Sequence, residues 1–318
     1  MTNKNSHVIM NPASGGGKTG QSRRFILNKI EEYLGRSYKL WVTEKPVDAV
    51  EYTIKAIESG GNLIISVGGD GTIHEVVNGF CLASVNGNVD CTLGIISSGT
   101  GQDFVQGLGI KGDIDYQLSI IKEGIVELID VGMVKYKDDS SRNVIKYFAN
   151  EFQVGLGGKV AEKVNAKIKN KGSFLTYGLA TIPFLFKYNG SNITVKINDE
   201  EPFKEKIIGI IAANGSCMGG GMKLTRTGDL TDHYFDLFIF HKQNIINRLL
   251  NFSKIYFGKL KDSKLINIRK ADKLIIESGE EVQMEADGEF LGRLPCEISL
   301  IPSFLKVIIN PGTFSKAK

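Results

Sequence analysis

Three glycines surround a single carboxylate in Ser66-Val67-Gly68-Gly69-Asp70-Gly71-Thr72, directly after the apolar run Leu63-Ile64-Ile65. A turn of that composition, between a buried strand and a helix start, lets bare backbone N–H groups approach a phosphate closely. Thr72 and Glu75 have the T-x-x-E spacing of a capping box, which would set the favourable end of a helix dipole there. An aspartate inside a phosphate cradle repels its ligand unless a divalent cation or a donor hydroxyl lies between them. Asp70 therefore points to catalysis. Standing alone, the motif also suits a structural βα turn with a capping aspartate.

Two further turns repeat the theme. Asn11-Pro12-Ala13-Ser14-Gly15-Gly16-Gly17-Lys18-Thr19 looks like a P-loop, but Pro12 stands where its first glycine belongs. Its amides and Lys18 can still wrap phosphate, and a flexible connection is the plainer reading. Ser97-Ser98-Gly99-Thr100-Gly101-Gln102-Asp103-Phe104 adds Asp103, either a helix cap or a ligand-facing acid. Late in the chain, Asp287-Gly288-Glu289 is either a hairpin turn or a pair of acids holding a general base over a metal–phosphate site. His74-Glu75-Val76-Val77-Asn78 misses the zinc motif H-E-x-x-H by one ligand, so His74 is expected to be solvated.

The elements that must position these residues fall into two textures. His7–Met10, Lys39–Val42, Leu63–Val67 and Thr92–Ile96 read as strands. Helical stretches run from about Gln21 to Leu34, from Val47 to Ser59 and through Asn78. This alternation predicts an α/β domain over residues 1–124 with a parallel sheet, ligands binding at the carboxyl ends of its strands. The last strand, about 304–318, is expected to return to it. Residues 125–303 predict a mainly antiparallel β-sandwich, from short runs such as Lys146–Val154, Tyr234–Phe240, Val282–Ala286 and Glu297–Ile301, with Lys306–Ile309 the run that follows them. Gly155–Tyr188 is its one helical stretch.

The 318 residues carry a net charge of +4, too mild to argue for nucleic acid. The balance is uneven: residues 1–130 hold 11 basic and 15 acidic side chains, the remainder 28 and 20. A basic second half suits an anionic lipid surface or simply a solvated face. Cys81, Cys91, Cys217 and Cys296 have no paired spacing, as expected of a reduced, cytoplasmic protein. Met1 leads almost directly into the first strand, so no signal peptide is expected. Phe174–Phe186 is too short and too interrupted to span a bilayer. Lys159, Lys163 and Lys167 recur beside Val160, Val164 and Ile168, with Lys169 and Lys171 following, as in either a surface helix or a membrane-docking one.

Six marks in order carry a family resemblance: Asn11-Pro12-x-Ser14-Gly15, Gly68-Gly69-Asp70-Gly71-Thr72, Gly99-Thr100-Gly101-x-Asp103-Phe104, Ile129-Asp130-Val131-Gly132, Gly219-Gly220-Gly221-Met222 and Asp287-Gly288-Glu289. The chain resembles bacterial lipid kinases of the diacylglycerol kinase catalytic fold, which includes sphingosine kinases and is distantly similar to NAD kinases. The resemblance implies ATP in an interdomain cleft. Its contacts would be Asn11, Pro12, Ala13, Ser14, Gly15, Thr43, the turn Gly68, Gly69, Asp70, Gly71, Thr72, Ile73, His74 and Glu75, and Thr100. It implies Asp70 at the phosphates and Mg²⁺, Asp103 and Asp130 in a supporting acidic network, and Glu289 as proton acceptor with Asp287 beside it. The resemblance maps a structural Mg²⁺ onto Asp229, through its carbonyl, Asp232 and Tyr234. His74, Gln102, Val105-Gln106 and His233 depart from the family's usual Asn, Asn, Ala-Arg and Gly.

The implied reaction is ATP-dependent phosphorylation of a lipid alcohol, most directly diacylglycerol to phosphatidic acid, at a membrane surface the protein contacts peripherally. An NAD kinase and a catalytically silent lipid- or nucleotide-binding regulator are the alternatives. A homodimer is left open.

Overall fold

The computed structural model describes residues 5–85, 87, 89–99, 101–167, 174–224, 228–310 and 313. Its chain divides into two compact units, Met1–Ile129 with Ser303–Lys318, and Asp130–Pro302.

In the first unit, strands β1 (Ser6–Met10), β2 (Tyr38–Val42), β3 (Leu63–Gly68) and β4 (Thr92–Ser97) form a parallel sheet in the order β4-β3-β1-β2. β1 is central, with Val8 opposite Leu40 on one side and Ile65 on the other. Every residue of β1 and β3 is buried, as expected of parallel strands covered on both faces. The connections carry helices α1 (Lys18–Gln21), α2 (Arg23–Leu34), α3 (Asp48–Glu58), α4 (Asp70–Ser84), α5 (Asp103–Gly107) and α6 (Ile114–Glu123). The turns leaving β1, β3 and β4 all fall at the carboxyl ends of their strands.

The second unit is mainly antiparallel, as its alternating short runs require. β5 (Val126–Lys137) enters it and pairs with β6 (Asn143–Phe148). β7 (Glu151–Gly155) leads into α7 (Leu156–Lys167) and α8 (Phe174–Lys187). Then follow β8 (Ser191–Ile197), β9 (Phe203–Ala213), the small pair β10 (Cys217–Met218) and β11 (Met222–Lys223), and β12 (Phe235–His241). Helix α9 (Ile245–Tyr256) precedes β13 (Ile266–Ala271), β14 (Lys273–Ser278), β15 (Gln283–Ala286), β16 (Glu289–Arg293) and β17 (Cys296–Ile308). Strand β7 lies between β15 and β9, and β12 lies between β9 and β13. The far end of β17 belongs to the first unit, where Val307 pairs in parallel with Leu93.

Several sequence expectations are corrected. The run Lys146–Val154 is two strands, because the backbone at Ala149–Asn150 turns aside to meet a carboxylate described below. Glu297–Ile301 and all but the last residue of Lys306–Ile309 lie on one strand, β17, which carries Ser303 with a left-handed φ of 47°. Helix α9 was not expected; Asn244 caps it by accepting the N–H of Asn247 at 2.9 Å. On α7 the apolar side is buried through Val160, Ala161 and Val164, and Lys159 pairs with Glu162 at 3.0 Å. That face lies on the core and cannot dock on a membrane. Ile168, Lys169 and Lys171 lie outside the described residues, and no helix among the described residues is long and apolar enough to cross a membrane. The four cysteines are buried and form no disulfide with one another.

The second unit's core centres on Phe148, Phe152 and Phe235, whose rings lie 5.9 Å and 5.5 Å from Phe148. Phe148 is fully buried, and a Cβ on the facing Gly132 would fall 2.1 Å from its ring. The ring therefore fills the space that Gly132 leaves. Phe148→Ala is expected to destabilise this unit by about 3–5 kcal/mol in urea denaturation, the usual range for a deleted core aromatic.

Candidate functional site

In the first unit three loops meet. Asn11 follows β1, its Oδ1 accepts the N–H of Ala13 at 3.0 Å, and its Nδ2 donates to Thr72 Oγ1 at 3.0 Å. The first turn is thereby tied to the third. Ser98 donates its N–H to Gly68 O at 2.8 Å, and Thr19 and Ser98 share a hydroxyl–hydroxyl hydrogen bond of 2.6 Å. Backbones touch where the turns cross. A Cβ on Gly99 would lie 2.6 Å from Gly69 Cα, and one on Gly15 would lie 2.8 Å from Ser98 O. Gly15 is also left-handed, at φ 64°. Ser14 Oγ would stand 3.0 Å from a Cβ on Gly69, which puts the first turn against the third a second time. Thr43 joins through its N–H, which donates to Met10 O at 2.9 Å.

Asp70 opens α4, a helix of fifteen residues. Its Oδ2 accepts the N–H of Gln102 at 3.0 Å, drawing the turn after β4 over the helix start. A Cβ on Gly101 would lie 2.5 Å from Asp70 Oδ2 and 3.9 Å from Asp103 Oδ2, so the two carboxylates converge there. Hard oxygens on backbone-fixed turns are the donor set that Mg²⁺ takes. Thr100 lies outside the described residues.

The capping box is not formed. Because α4 begins at Asp70, Thr72 already lies inside its first turn, and Glu75 reaches a different helix. Its carboxylate accepts the N–H groups of Val47 (2.9 Å) and Ala49 (3.1 Å), closing the start of α3. His74 is buried and not solvated, its face of α4 turning inward with Ile73. Asn78 Nδ2 bonds back to its carbonyl at 2.9 Å.

In the second unit, Asp287 and Gly288 form the turn between β15 and β16, both left-handed at φ 49° and 85°. The Asp287 carboxylate accepts three successive backbone N–H groups, from Ala149 (3.0 Å), Asn150 (2.9 Å) and Glu151 (3.0 Å). These are the amides that part β6 from β7. Asp287 is thus an anchor, and the turn it fixes presents Glu289, exposed at the head of β16 with Asn165 Nδ2 3.5 Å from its Oε2.

Glu285 was missed in the sequence, where it reads as one polar residue within the run Val282–Ala286. It is buried beneath the hairpin, and its Oε2 accepts the Gly288 N–H at 2.8 Å. Gln153 stands opposite it across the β15–β7 pair and donates to Glu151 at 3.1 Å. Burial pushes the Glu285 carboxyl up to about 8, the Gly288 N–H pulls against it, and the charges of Asp287 and Glu289 add to the rise.

The other acids serve the second unit's framework. Asp130, fully buried, accepts the backbone N–H of His233 at 2.8 Å and faces its Nδ1 at 3.1 Å. His233 holds a left-handed φ of 66° where the family has glycine. The acidic side chains mapped to a structural Mg²⁺ have protein partners. Asp232 and Asp236 both hold Lys270 Nζ at 2.7 Å, so an ammonium already balances them. Asp229 Oδ1 instead accepts from Thr231 N (3.0 Å) and Oγ1 (2.6 Å), while Tyr234 is tied through its N–H to Asp232 at 3.0 Å. Among the described residues no group of three or more acidic, histidine or cysteine side chains is placed to hold a metal.

Residues 5–134 match the model of the diacylglycerol kinase catalytic domain, and residues 150–309 match the YegS C-terminal NAD kinase beta sandwich-like domain. The chain belongs to the bacterial diacylglycerol kinase-like family and is an ATP-dependent lipid kinase. It is 29% identical to a diacylglycerol kinase of Bacillus subtilis (strain 168) over 310 residues, covering 96% of each chain. It is 27% identical to that of Staphylococcus saprophyticus over 292 residues, covering 92% of this chain and 91% of the relative. A crystal structure of a diacylglycerol kinase from Bacillus anthracis str. Sterne shares the fold, with TM-score 0.71, 23% identity and 98% of each chain covered. Yeast NADH kinase complexed with NADH is a more distant likeness, with TM-score 0.51 and 13% identity over 98% of this chain and 85% of that one.

The buried Glu285 has a measurable consequence. Its folded carboxyl holds a proton that the unfolded chain releases near pH 4.5, so stability falls as pH rises from there to about 8 and levels off above. Glu285→Gln keeps an acceptor for Gly288 and removes the titration. Urea denaturation should show wild type and variant alike near pH 4, diverging in the variant's favour by up to about 1.4 kcal/mol per pH unit above it. Parallel profiles would show that Glu285 is ionised in the fold.

Proposed function

We propose that the chain transfers the γ-phosphoryl group of ATP to the hydroxyl of diacylglycerol, giving phosphatidic acid, at a membrane surface that it contacts peripherally. The observation carrying this reading is the meeting of three loops around Asp70, with backbones in contact and two carboxylates converging. Relatives along nearly the whole chain bear the name diacylglycerol kinase, which supports the choice of acceptor.

Asn11 to Gly15, Thr43, the turn Gly68 to Glu75 and Thr100 are the nucleotide's contacts in this reading. Phosphoryl transfer asks a protein chiefly for positioning and charge neutralisation, which turn amides supply without moving. Asp70 with Asp103 would hold Mg²⁺, which when bound neutralises charge on the β- and γ-phosphates. Asp130 supports the acidic network from its buried place against His233. Glu289 accepts the proton of the attacking hydroxyl, and its exposure and strand-end position suit a base that must meet a substrate. Asp287 does not share that task, because three amides already bind its carboxylate; it positions Glu289.

A panel of dioleoylglycerol, a sphingoid base, a polyprenol and NAD, each with radiolabelled ATP, tests the assignment. Diacylglycerol should be the best acceptor, and NAD should take no label. Asp70→Ala should lower turnover by about 10³-fold or more, as loss of the largest electrostatic contribution does. Glu289→Gln should lower it about 10²–10⁴-fold with an unchanged melting temperature. Asp287→Asn should lower melting temperature and turnover together. Full activity in Asp70→Ala, or label in NAD alone, would overturn the reading.

A further inference from the structure

Helix α9 carries apolar side chains on two faces. Toward the core it buries Arg248, Asn251 and Ile255, with Phe252 and Tyr256 half-buried against the same core. Arg248 holds the end of α8: its Nη1 donates to the carbonyls of Leu185 and Tyr188, and its Nε donates to Gln243 O at 3.0 Å. Asn251 Nδ2 donates to Gln243 Oε1 at 2.8 Å. The outward stripe is Ile246, Leu249 and Leu250, with Phe257 just past the last turn, at 66%, 40%, 52% and 68% exposure. Phe186, on the turn of α8 that Arg248 grips, is 57% exposed. An ordinary surface helix turns such a stripe to the core, and apolar side chains left outside in a group mark an interaction surface.

The charge carried by α9, its flanking segments and α8 is of one sign. No Asp or Glu occurs between Asp236 and Asp262 or within α8, whereas Lys242, Lys254 and Lys259 are exposed around the stripe. Lys259 Nζ lies 5.7 Å from the Phe257 ring, so cation and apolar surface are presented together. A two-fold contact between copies of this chain would set these lysines against their own kind. An anionic lipid surface takes both features at once, phosphates meeting the lysines and acyl chains meeting the stripe.

We propose that α9, with the last turn of α8, is the surface by which this protein docks on anionic membranes. The inference deepens the proposed function, since it rests on that reading for why a bilayer must be met; the docking is measurable without it.

The test is sedimentation of the full chain with phosphatidylcholine vesicles, alone or containing about a third phosphatidylglycerol. Wild type should bind the anionic vesicles. Ile246→Glu with Leu250→Glu, and separately Lys254→Glu with Lys259→Glu, should each weaken binding by about tenfold or more. All four positions are exposed, and an unchanged melting temperature verifies the fold of each variant. Turnover on short-chain diacylglycerol in detergent should stay at the wild-type level, while turnover on vesicle-embedded diacylglycerol falls. Undiminished vesicle binding by both variants would overturn the proposal. So would a wild-type dimer in sedimentation velocity that Ile246→Glu with Leu250→Glu converts to monomer, since a second copy would then cover the stripe. A wild type that docks through α9 yet phosphorylates no lipid alcohol would overturn the kinase reading and leave the docking surface standing.

Discussion

The first unit depends on two peptide backbones in contact. Gly69 and Gly99, each just past the end of a parallel strand, approach so closely that a single added carbon on Gly99 would fall 2.6 Å from its neighbour's Cα. Contact at that range locks the turns after β3 and β4, with their backbone amides, against each other. The loop after β1 then closes on them through Asn11, Ser14 and Gly15. The sheet supplies the rigidity: β1, β3 and β4 are buried almost throughout, so their carboxyl ends are fixed points from which short loops have little freedom to stray. In the proposed function those amides carry the phosphates.

The second unit solves its positioning problem with one carboxylate. Asp287 collects the N–H groups of Ala149, Asn150 and Glu151, which interrupts a strand and pins a left-handed hairpin in the same act. Glu285 supports that hairpin from below by accepting the Gly288 amide. The two acids of the Asp-Gly-Glu sequence therefore have different work. One is bound to backbone and holds the turn; the other stands exposed on the strand that the turn begins.

Most of the fold was legible in the chain, because it is written locally. Alternating apolar runs and helical periodicity gave the parallel sheet, and three clusters of small residues marked the loops at its carboxyl ends. What was hidden depends on partners distant in sequence. Nothing around Glu75 shows that its carboxylate will close α3 rather than cap α4. Nothing near Asp232 shows that Lys270, on another strand, will balance it in place of a metal ion. His74 was expected to be solvated because Asn78 stands where a second zinc ligand would be, yet the face of α4 that carries it packs inward. The outward stripe of α9 escaped periodicity, since the helix carries Phe252, Ile255 and Tyr256 against the core and Ile246, Leu249 and Leu250 outside. His233 was legible only as a departure. Its left-handed backbone and its bonds to Asp130 explain how a side chain is accommodated where glycine is usual.

The central claim is that contacting backbones at Gly69 and Gly99 shape the cradle that binds ATP. Calorimetric titration of Gly99→Ala with ATP and Mg²⁺ tests it most directly, with far-UV circular dichroism to verify the fold. The account predicts that the folded variant binds ATP at least about tenfold more weakly, because an added Cβ pushes apart the turns whose amides hold the phosphates. ATP affinity equal to wild type in a folded Gly99→Ala protein would contradict it.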